Sequence, residues 1–268
     1  MTLAQFTGTD LGTRVAEYGE RDAILYALAV GAREHDLDLV FERDLKVLPT
    51  FGLTQGLWVA DAAGELGVFR PESALHGAQS LVVHCALPPS GRFPISGRIG
   101  GIWDKGRSAV VDVIAECEYF TATYSIFLPG QGGWGGDPGP RQAGGDLGEP
   151  AWRAAVPILP QQAALYRLTG DRHLIHIDPA AARAAALPGP ILHGLCTLGL
   201  VAREVSAAVK REPWHLTSIE ARFSAPVLPG GTLEVEAEPV PEDNAVRFQA
   251  LTDGATVLKA GRATFRAG

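Results

Sequence analysis

Asp171 and His176 stand five positions apart at the end of a polar turn in the segment YRLTGDRHLIHIDPAAARAAALPGPILHGLCTL, residues 166–198. A carboxylate and an imidazole are the side chains that exchange protons near neutral pH, the imidazole with an unperturbed pKa near 6.5. Directly after them, Asp178-Pro179 reads as a helix start, with the aspartate as N-cap and the proline at the first helical position. Pro188-Gly189-Pro190 stops that helix. His193-Gly194 then opens LCTLGLVAREVSAAVK, an apolar stretch with helical spacing. The first N–H groups of a helix have no partner within it, so the Gly194 N–H is a candidate donor to an oxygen that gains negative charge. Without a Cβ there, a bound group can come close. Together these residues make a general acid/base pair, Asp171 and His176, beside an oxyanion site at Gly194.

The same residues admit other chemistry. Taken singly, Asp171 could cap a turn, His176 could be a packed core histidine, and Gly194 could serve close helix packing. His173, His176 and His193 with Asp171 and Asp178 invite a metal, but neither H-E-x-x-H nor a Cys/His zinc spacing is present, so no metal is expected. No G-x-S-x-G motif supports a serine nucleophile, and Cys196 falls inside the helix. Gly130-Gln131-Gly132-Gly133-Trp134-Gly135-Gly136 lacks the Gly-Lys-Ser/Thr of a phosphate loop. It reads as a flexible linker, or as a loop whose Trp134 covers a ligand.

The chain has 268 residues, 46% of them hydrophobic, enough for one large domain or two small ones with real cores. Its net charge of -7 and pI near 5.5 argue against a nucleic-acid surface. Cys85, Cys117 and Cys196 have no CxxC spacing and read as buried free thiols. The start, MTLAQFTGTD, does not read as a signal peptide, the end is not a peroxisomal tripeptide, and no apolar run suggests a membrane span. A cytoplasmic protein with no membrane or nucleic-acid partner is expected.

Two similar halves must position the site. In the first, 21–32 (RDAILYALAVGA) has helical spacing, followed by strand-like runs at 80–86, 92–103, 108–120 and 121–128. In the second, the two helices above precede runs at 216–223, 232–239, 245–252 and 256–265, separated by Pro-Gly-Gly, Pro-Glu-Asp-Asn and Asp-Gly turns. Gly130 to Pro150, rich in Gly and Pro, lies between. One long apolar helix and an antiparallel sheet in each half make an α+β fold.

GDRHLIHIDP followed by PILHGLCTLG resembles the signature of the 2-enoyl-CoA hydratase 2 family, among the MaoC-like dehydratases and the hydratase unit of multifunctional enzyme type 2. The likeness extends to AALYRLTG at 163–170, ARFSAPVLPG at 221–230, DAILYALAVGA at 22–32, LKVLPTFG at 45–52, LHGAQSL at 75–81, DKG at 104–106 and GGWGG at 132–136. It implies a double hot-dog, two antiparallel sheets each wrapped around a central helix. The domains expected are an N-terminal hot-dog over 1–130 that accommodates substrate, a linker over 131–155, and a C-terminal catalytic hot-dog over 156–268. The activity implied is reversible hydration of trans-2-enoyl-CoA to (3R)-3-hydroxyacyl-CoA by a metal-independent hydro-lyase. No cofactor is implied, CoA being part of the substrate, and a homodimer is the assembly to test. Asp171, His176 and Gly194 match the family's catalytic pair and backbone donor. Tyr26, Glu42 and Asp44 align with family positions of importance and, with His173, His193 and Trp134, are expected to bind substrate. His173, Leu174 and Ala78 stand where relatives carry Asn, Pro and Glu. The alternatives are a dehydratase of a carrier-protein thioester and a non-catalytic acyl-CoA-binding protein.

Overall fold

The computed structural model describes residues 3–70, 73–140, 147–240 and 243–267. Ten strands carry the chain: β1 (Asp10–Tyr18), β2 (Leu75–Val83), β3 (Gly91–Asp104), β4 (Ser108–Glu116), β5 (Phe120–Pro129), β6 (Trp152–Pro157), β7 (Leu216–Phe223), β8 (Thr232–Val240), β9 (Ala245–Thr252) and β10 (Ala255–Phe265). The helices are α1 (Glu20–Ala29), α2 (Leu37–Val40), α3 (Gly52–Gly56), α4 (Trp58–Glu65), α5 (Gln162–Tyr166), α6 (Pro179–Ala184) and α7 (Gly194–Ala208).

Strands alternate buried and exposed faces, as a half-covered antiparallel sheet requires. In β4, Ala109, Val111, Val113 and Ala115 are wholly buried while their neighbours face outward. The strand order is β1-β3-β4-β5-β2-β7-β10-β9-β8-β6. Read inward from either edge, the two halves repeat one pattern of five strands. They meet where β2 pairs antiparallel with β7, Ser80 opposite Glu220 and Leu81 opposite Ile219. The two expected sheets are therefore one continuous sheet of ten strands, because the innermost strand of each half leaves its ladder edge open to the other's. Pairing those edges satisfies the backbone groups that an exposed edge would leave bare.

Helix α7 lies along the second half's sheet. Leu195, Leu198, Leu200, Val201 and Val205 are all buried, each contributing about 1.5–3 kcal/mol. The first half departs from expectation. Its sheet is covered by α3 and α4, which pack on β5 and on β1, β3 and β4 respectively. Their sequence, interrupted by Gly52, Gly56 and Gly64, has a weak helical signal. The apolar segment 21–32, expected to be that helix, instead forms α1 and packs between the halves against α5. A Cβ on Gly199 of α7 would stand 2.6 Å from Val30 Cγ1 and 2.9 Å from the Tyr26 hydroxyl, so only glycine lets α1 dock this closely.

The expected linker over 131–155 is largely folded where it is described. Asp104, at the end of β3, is buried, and its carboxylate accepts backbone N–H bonds from Gly106, Gly133, Gly135 and Gly136 at 2.8 to 3.2 Å. These bonds, Gly133 foremost, hold its pKa below the usual carboxylate range. Trp134 on this loop packs against the core. β6, which begins inside the expected linker, pairs with β8 as an edge strand. The segment 141–146 lies outside the described residues. Of the cysteines expected to be buried, only Cys196 is; Cys117 is half-buried and Cys85 exposed, since it follows the end of β2.

A carboxylate has four acceptor positions and an amide oxygen only two. Asp104→Asn should therefore lower the melting temperature and expose the 130–139 loop to limited proteolysis. Because the folded pKa of Asp104 is depressed, its stabilising contribution is present above the unfolded value of about 3.9 and is lost as pH falls below it. The gap in melting temperature between wild type and Asp104→Asn should accordingly narrow in acid, as measured by circular dichroism melts from pH 7 to pH 3.

Candidate active site

Asp171 follows Gly170, whose φ of +139° is one that other residues rarely adopt. The Thr54 carbonyl of the first half lies in ordinary contact range, 3.7 Å from where a Cβ would stand, so the φ angle is what calls for glycine. The turn that aims Asp171 thus depends on glycine. Asp171 Oδ1 accepts the backbone N–H of His173 at 3.1 Å, closing a local Asx turn. A single 3-10 turn, Leu174–His176, then brings His176 inward. Asp178 caps α6 as expected, its Oδ1 accepting the Ala180 N–H at 2.7 Å.

His176 is buried, and its Nδ1 lies 2.9 Å from the Ile191 carbonyl oxygen. A carbonyl only accepts, so Nδ1 carries the proton and Nε2 keeps its lone pair. The Ile191–His193 segment is strapped in turn: the Ile191 N–H bonds the Ile175 carbonyl at 3.2 Å and the Leu192 N–H the Val227 carbonyl at 2.7 Å. His193 follows, wholly buried, as the N-cap residue of α7. Its ring stacks on His176 with centroids 3.7 Å apart, and its Nε2 lies 3.2 Å from the Asp171 backbone carbonyl. Asp171, His176 and His193 each place a carboxylate oxygen or ring nitrogen within 4.8 Å of the other two.

Burial pushes the pKa of His176 below the usual imidazole value, partly countered by the Asp171 charge. Burial, then the neighbouring His176, pushes His193 down to about 4. At neutral pH the stack is therefore uncharged, and His176 offers a free Nε2 beside a carboxylate. Three such donors could ligate a divalent ion. All three belong to the set read in the sequence, from which two members stay out: His173, because its ring is exposed and its Nδ1 accepts the Ile175 N–H at 3.4 Å, and Asp178, which caps α6.

The other residues expected at the site are dispersed. Glu42 and Asp44 are exposed on the loop after α2, Asp44 with φ +62°, and no hydrogen bond or ion pair joins them to the cluster among the described residues. Tyr26 is buried beneath Tyr166, their ring centroids 6.0 Å apart, which puts it behind the site rather than at its surface. Trp134 belongs to the loop held by Asp104. Ala78 is buried on β2.

The first half supplies two groups that sequence reasoning missed. His76 on β2 packs on Phe223, centroids 4.8 Å apart, and its Nε2 is 3.1 Å from Gln79 Oε1. Desolvation pushes its pKa to about 4 against the pull of the Asp171 charge. Phe223 also meets Gly194: a Cβ there would stand 3.0 Å from the ring. Asp61 on α4 feels Asp171 as a like charge, and its pKa is raised by desolvation first and by that repulsion second. His76 is visible within the LHGAQSL run, but nothing in the sequence joins it to Asp171 or Phe223, far along the chain.

The MaoC-like domain model matches residues 145–259, and the model for the N-terminal domain of the MFE-2 hydratase 2 matches residues 16–127. Among similar proteins, the 3-hydroxyacyl-thioester dehydratase Y of Mycobacterium tuberculosis is 35% identical over 91% of this chain and 94% of its own length. The enoyl-CoA hydratase ChsH3 of the same organism is 37% identical over 80% of this chain and 81% of its own. The chain belongs to the enoyl-CoA hydratase 2 family of MaoC-like proteins. A MaoC-like dehydratase from Phytophthora capsici superposes on 99% of the chain with a TM-score of 0.87 at 24% identity, covering 98% of that structure. A further Mycobacterium tuberculosis structure, described as a double hotdog fold, covers 96% of this chain and 94% of its own at a TM-score of 0.57 and 14% identity. The fold is a double hot-dog.

His173 acts on the pair at a distance: its charge lowers the pKa of His176. In His173→Asn that contribution disappears and the pKa of His176 rises. An acid limb set by protonation of His176 should then move to higher pH, with most of the maximal rate retained. Rate–pH curves for the two proteins check this.

Proposed function

We propose that this chain is a (3R)-specific enoyl-CoA hydratase, adding water reversibly to a trans-2-enoyl-CoA to give the (3R)-3-hydroxyacyl-CoA. The observation that carries the proposal is the Asp171 carboxylate and the neutral His176, gathered within 4.8 Å at the N-terminus of α7. Family membership over most of the chain supports it, as does the name of the enoyl-CoA hydratase at 37% identity.

In this reading the thioester carbonyl oxygen accepts the Gly194 N–H. Charge that develops on that oxygen as the conjugated double bond polarises is stabilised by the N–H and the helix end. A water bonded at roughly 2.7–3 Å to each partner fits between groups this far apart. Its oxygen forms the bond to C3, and the proton it releases passes to the Asp171–His176 pair. The pair returns a proton to C2, so one water adds across one double bond and the enzyme regains its starting protonation. His176 Nε2 is suited to take the proton, because its partner nitrogen already donates to Ile191. A positioned acid/base pair contributes roughly 10²–10⁴-fold. No step calls for a metal or a redox group, and CoA enters as part of the substrate.

The first half would accommodate the acyl portion, with His76, which rests on Phe223 of the second half, and the α3–α4 segment near the catalytic face. No described helix is long and apolar enough to cross a membrane, and a cytoplasmic setting is proposed with it.

Asp171→Asn and His176→Ala should each lower kcat on crotonyl-CoA by about 100-fold or more, Asp171→Asn with a melting curve close to wild type and His176→Ala with a lower melting temperature, because it leaves the Ile191 carbonyl unpaired. The assay is loss of the enoyl-thioester absorbance. A rate within about tenfold of wild type in either variant would remove the proposed role of that residue, and a wild-type protein that binds crotonyl-CoA without changing the band would leave only a binding protein.

A further inference from the structure

Two polar atoms behind the catalytic pair are buried without a hydrogen-bond partner: the Tyr166 hydroxyl and His193 Nδ1. Both residues are fully enclosed, and their rings lie 4.9 Å apart, tilted by 46°. Buried polar groups are rarely left unpaired, since each costs about 1–3 kcal/mol. The chemistry of the two atoms is complementary. His193 Nε2 points at the Asp171 carbonyl, which only accepts, so Nε2 holds the proton. That leaves Nδ1 as a lone-pair acceptor. A tyrosine hydroxyl is a donor, and burial keeps this one protonated by raising its pKa.

We propose that Tyr166 is a positioning residue for the hydration reaction, its hydroxyl donating to His193 Nδ1 across one ordered water. The bond fixes the tautomer of His193. His193 then holds the Asp171 backbone on one side and stacks under His176 on its face. Tyr166 leaves α5 one turn before Asp171, so the element that delivers the carboxylate also locks the imidazole beneath its partner. Tyr26 packs on Tyr166 from α1 and ties this arrangement to the first half.

The charged and titratable groups around His193 are His176 and Asp171 from the Asp171–His176 segment, Arg167 from the turn before it, and Tyr166 from α5. Cys196, on α7 itself, donates instead to the Ala29 carbonyl. A donor to Nδ1 favours the neutral imidazole. Removing it lets His193 take a proton at higher pH, and that cation would sit against a His176 that must itself become positive during turnover.

The inference rests on the hydratase reading, and the test separates the two. In wild type, 15N spectra of the histidine rings should show His193 as the Nε2–H tautomer with Nδ1 shifted upfield by an accepted hydrogen bond. This readout needs no activity. Tyr166→Phe keeps the ring and removes the donor. It should move the Nδ1 signal downfield, lower kcat roughly tenfold with KM little changed, and move the acid limb of the rate–pH curve to higher pH. An unmoved Nδ1 signal in the variant would overturn the pairing, whatever the rates. A moved signal with superimposable rate–pH curves would overturn the positioning role. Should Tyr166→Phe not fold, a wild-type Nδ1 resonance at the free-acceptor position overturns the proposal by itself. An inactive wild type with the expected spectra would count against the hydratase reading and leave the pair standing.

Discussion

The hydrogen bond between His176 Nδ1 and the Ile191 carbonyl is the constraint on which the site depends. It decides which ring nitrogen is free and joins the turn bearing the acid/base pair to the strap that opens α7. The strap is held from the other side by Val227, just beyond β7, so the central sheet ultimately sets the position of the imidazole. Gly194 starts α7 one residue past His193. The lone pair of His176 and the first N–H of the helix are thereby fixed relative to each other by backbone, with few rotatable bonds between. Preorganised donors of this kind need little rearrangement as charge develops.

A second constraint comes from the repeat. The halves share one strand pattern and join edge to edge through β2 and β7, yet only the second carries the Asp171–His176–Gly194 set. The first half still reaches the site. Thr54 backs the turn at Gly170, Asp61 senses the Asp171 charge, and His76 rests on the Phe223 ring that also borders Gly194. In the proposed hydration one half would provide chemistry and the other walls, a division that edge pairing of two similar sheets makes geometrically simple. Burial of three imidazoles around one partly exposed carboxylate keeps the site free of excess positive charge at neutral pH.

Local signals were the legible ones. β7 and β9 occupy the residues their alternation and turns mark out, and β8 and β10 differ by one residue at an end, because hairpin strands bounded by Pro-Gly-Gly and Asp-Gly carry their limits in the sequence. The Asp178-Pro179 start of α6 is equally local. The edge strands β1 and β6 pair on one side only and carry weak signals: much of β1 is exposed without clear alternation, and β6, whose burial does alternate, is a six-residue run, Trp-Arg-Ala-Ala-Val-Pro, that does not alternate in residue type. α3 and α4 were hidden by glycines that tertiary packing requires: a Cβ on Gly52 would meet Phe120 at 2.8 Å, and one on Gly56 would meet Tyr124 at 2.9 Å. The glycine-rich loop read as a linker because its order comes from Asp104, nearly 30 positions upstream. The close approach of Asp171, His176 and His193 followed from a short span of sequence. The roles of His76 and Tyr166 depend on contacts across the fold.

The central claim is that the pair and the Gly194 N–H add water to one face of an enoyl thioester. Configuration of the product tests it most directly. Crotonyl-CoA hydrated by the wild-type protein can be divided between two coupled assays, one with an (R)-specific and one with an (S)-specific 3-hydroxyacyl-CoA dehydrogenase. The account predicts NADH formation with the (R)-specific enzyme alone. Formation with the (S)-specific enzyme would contradict it.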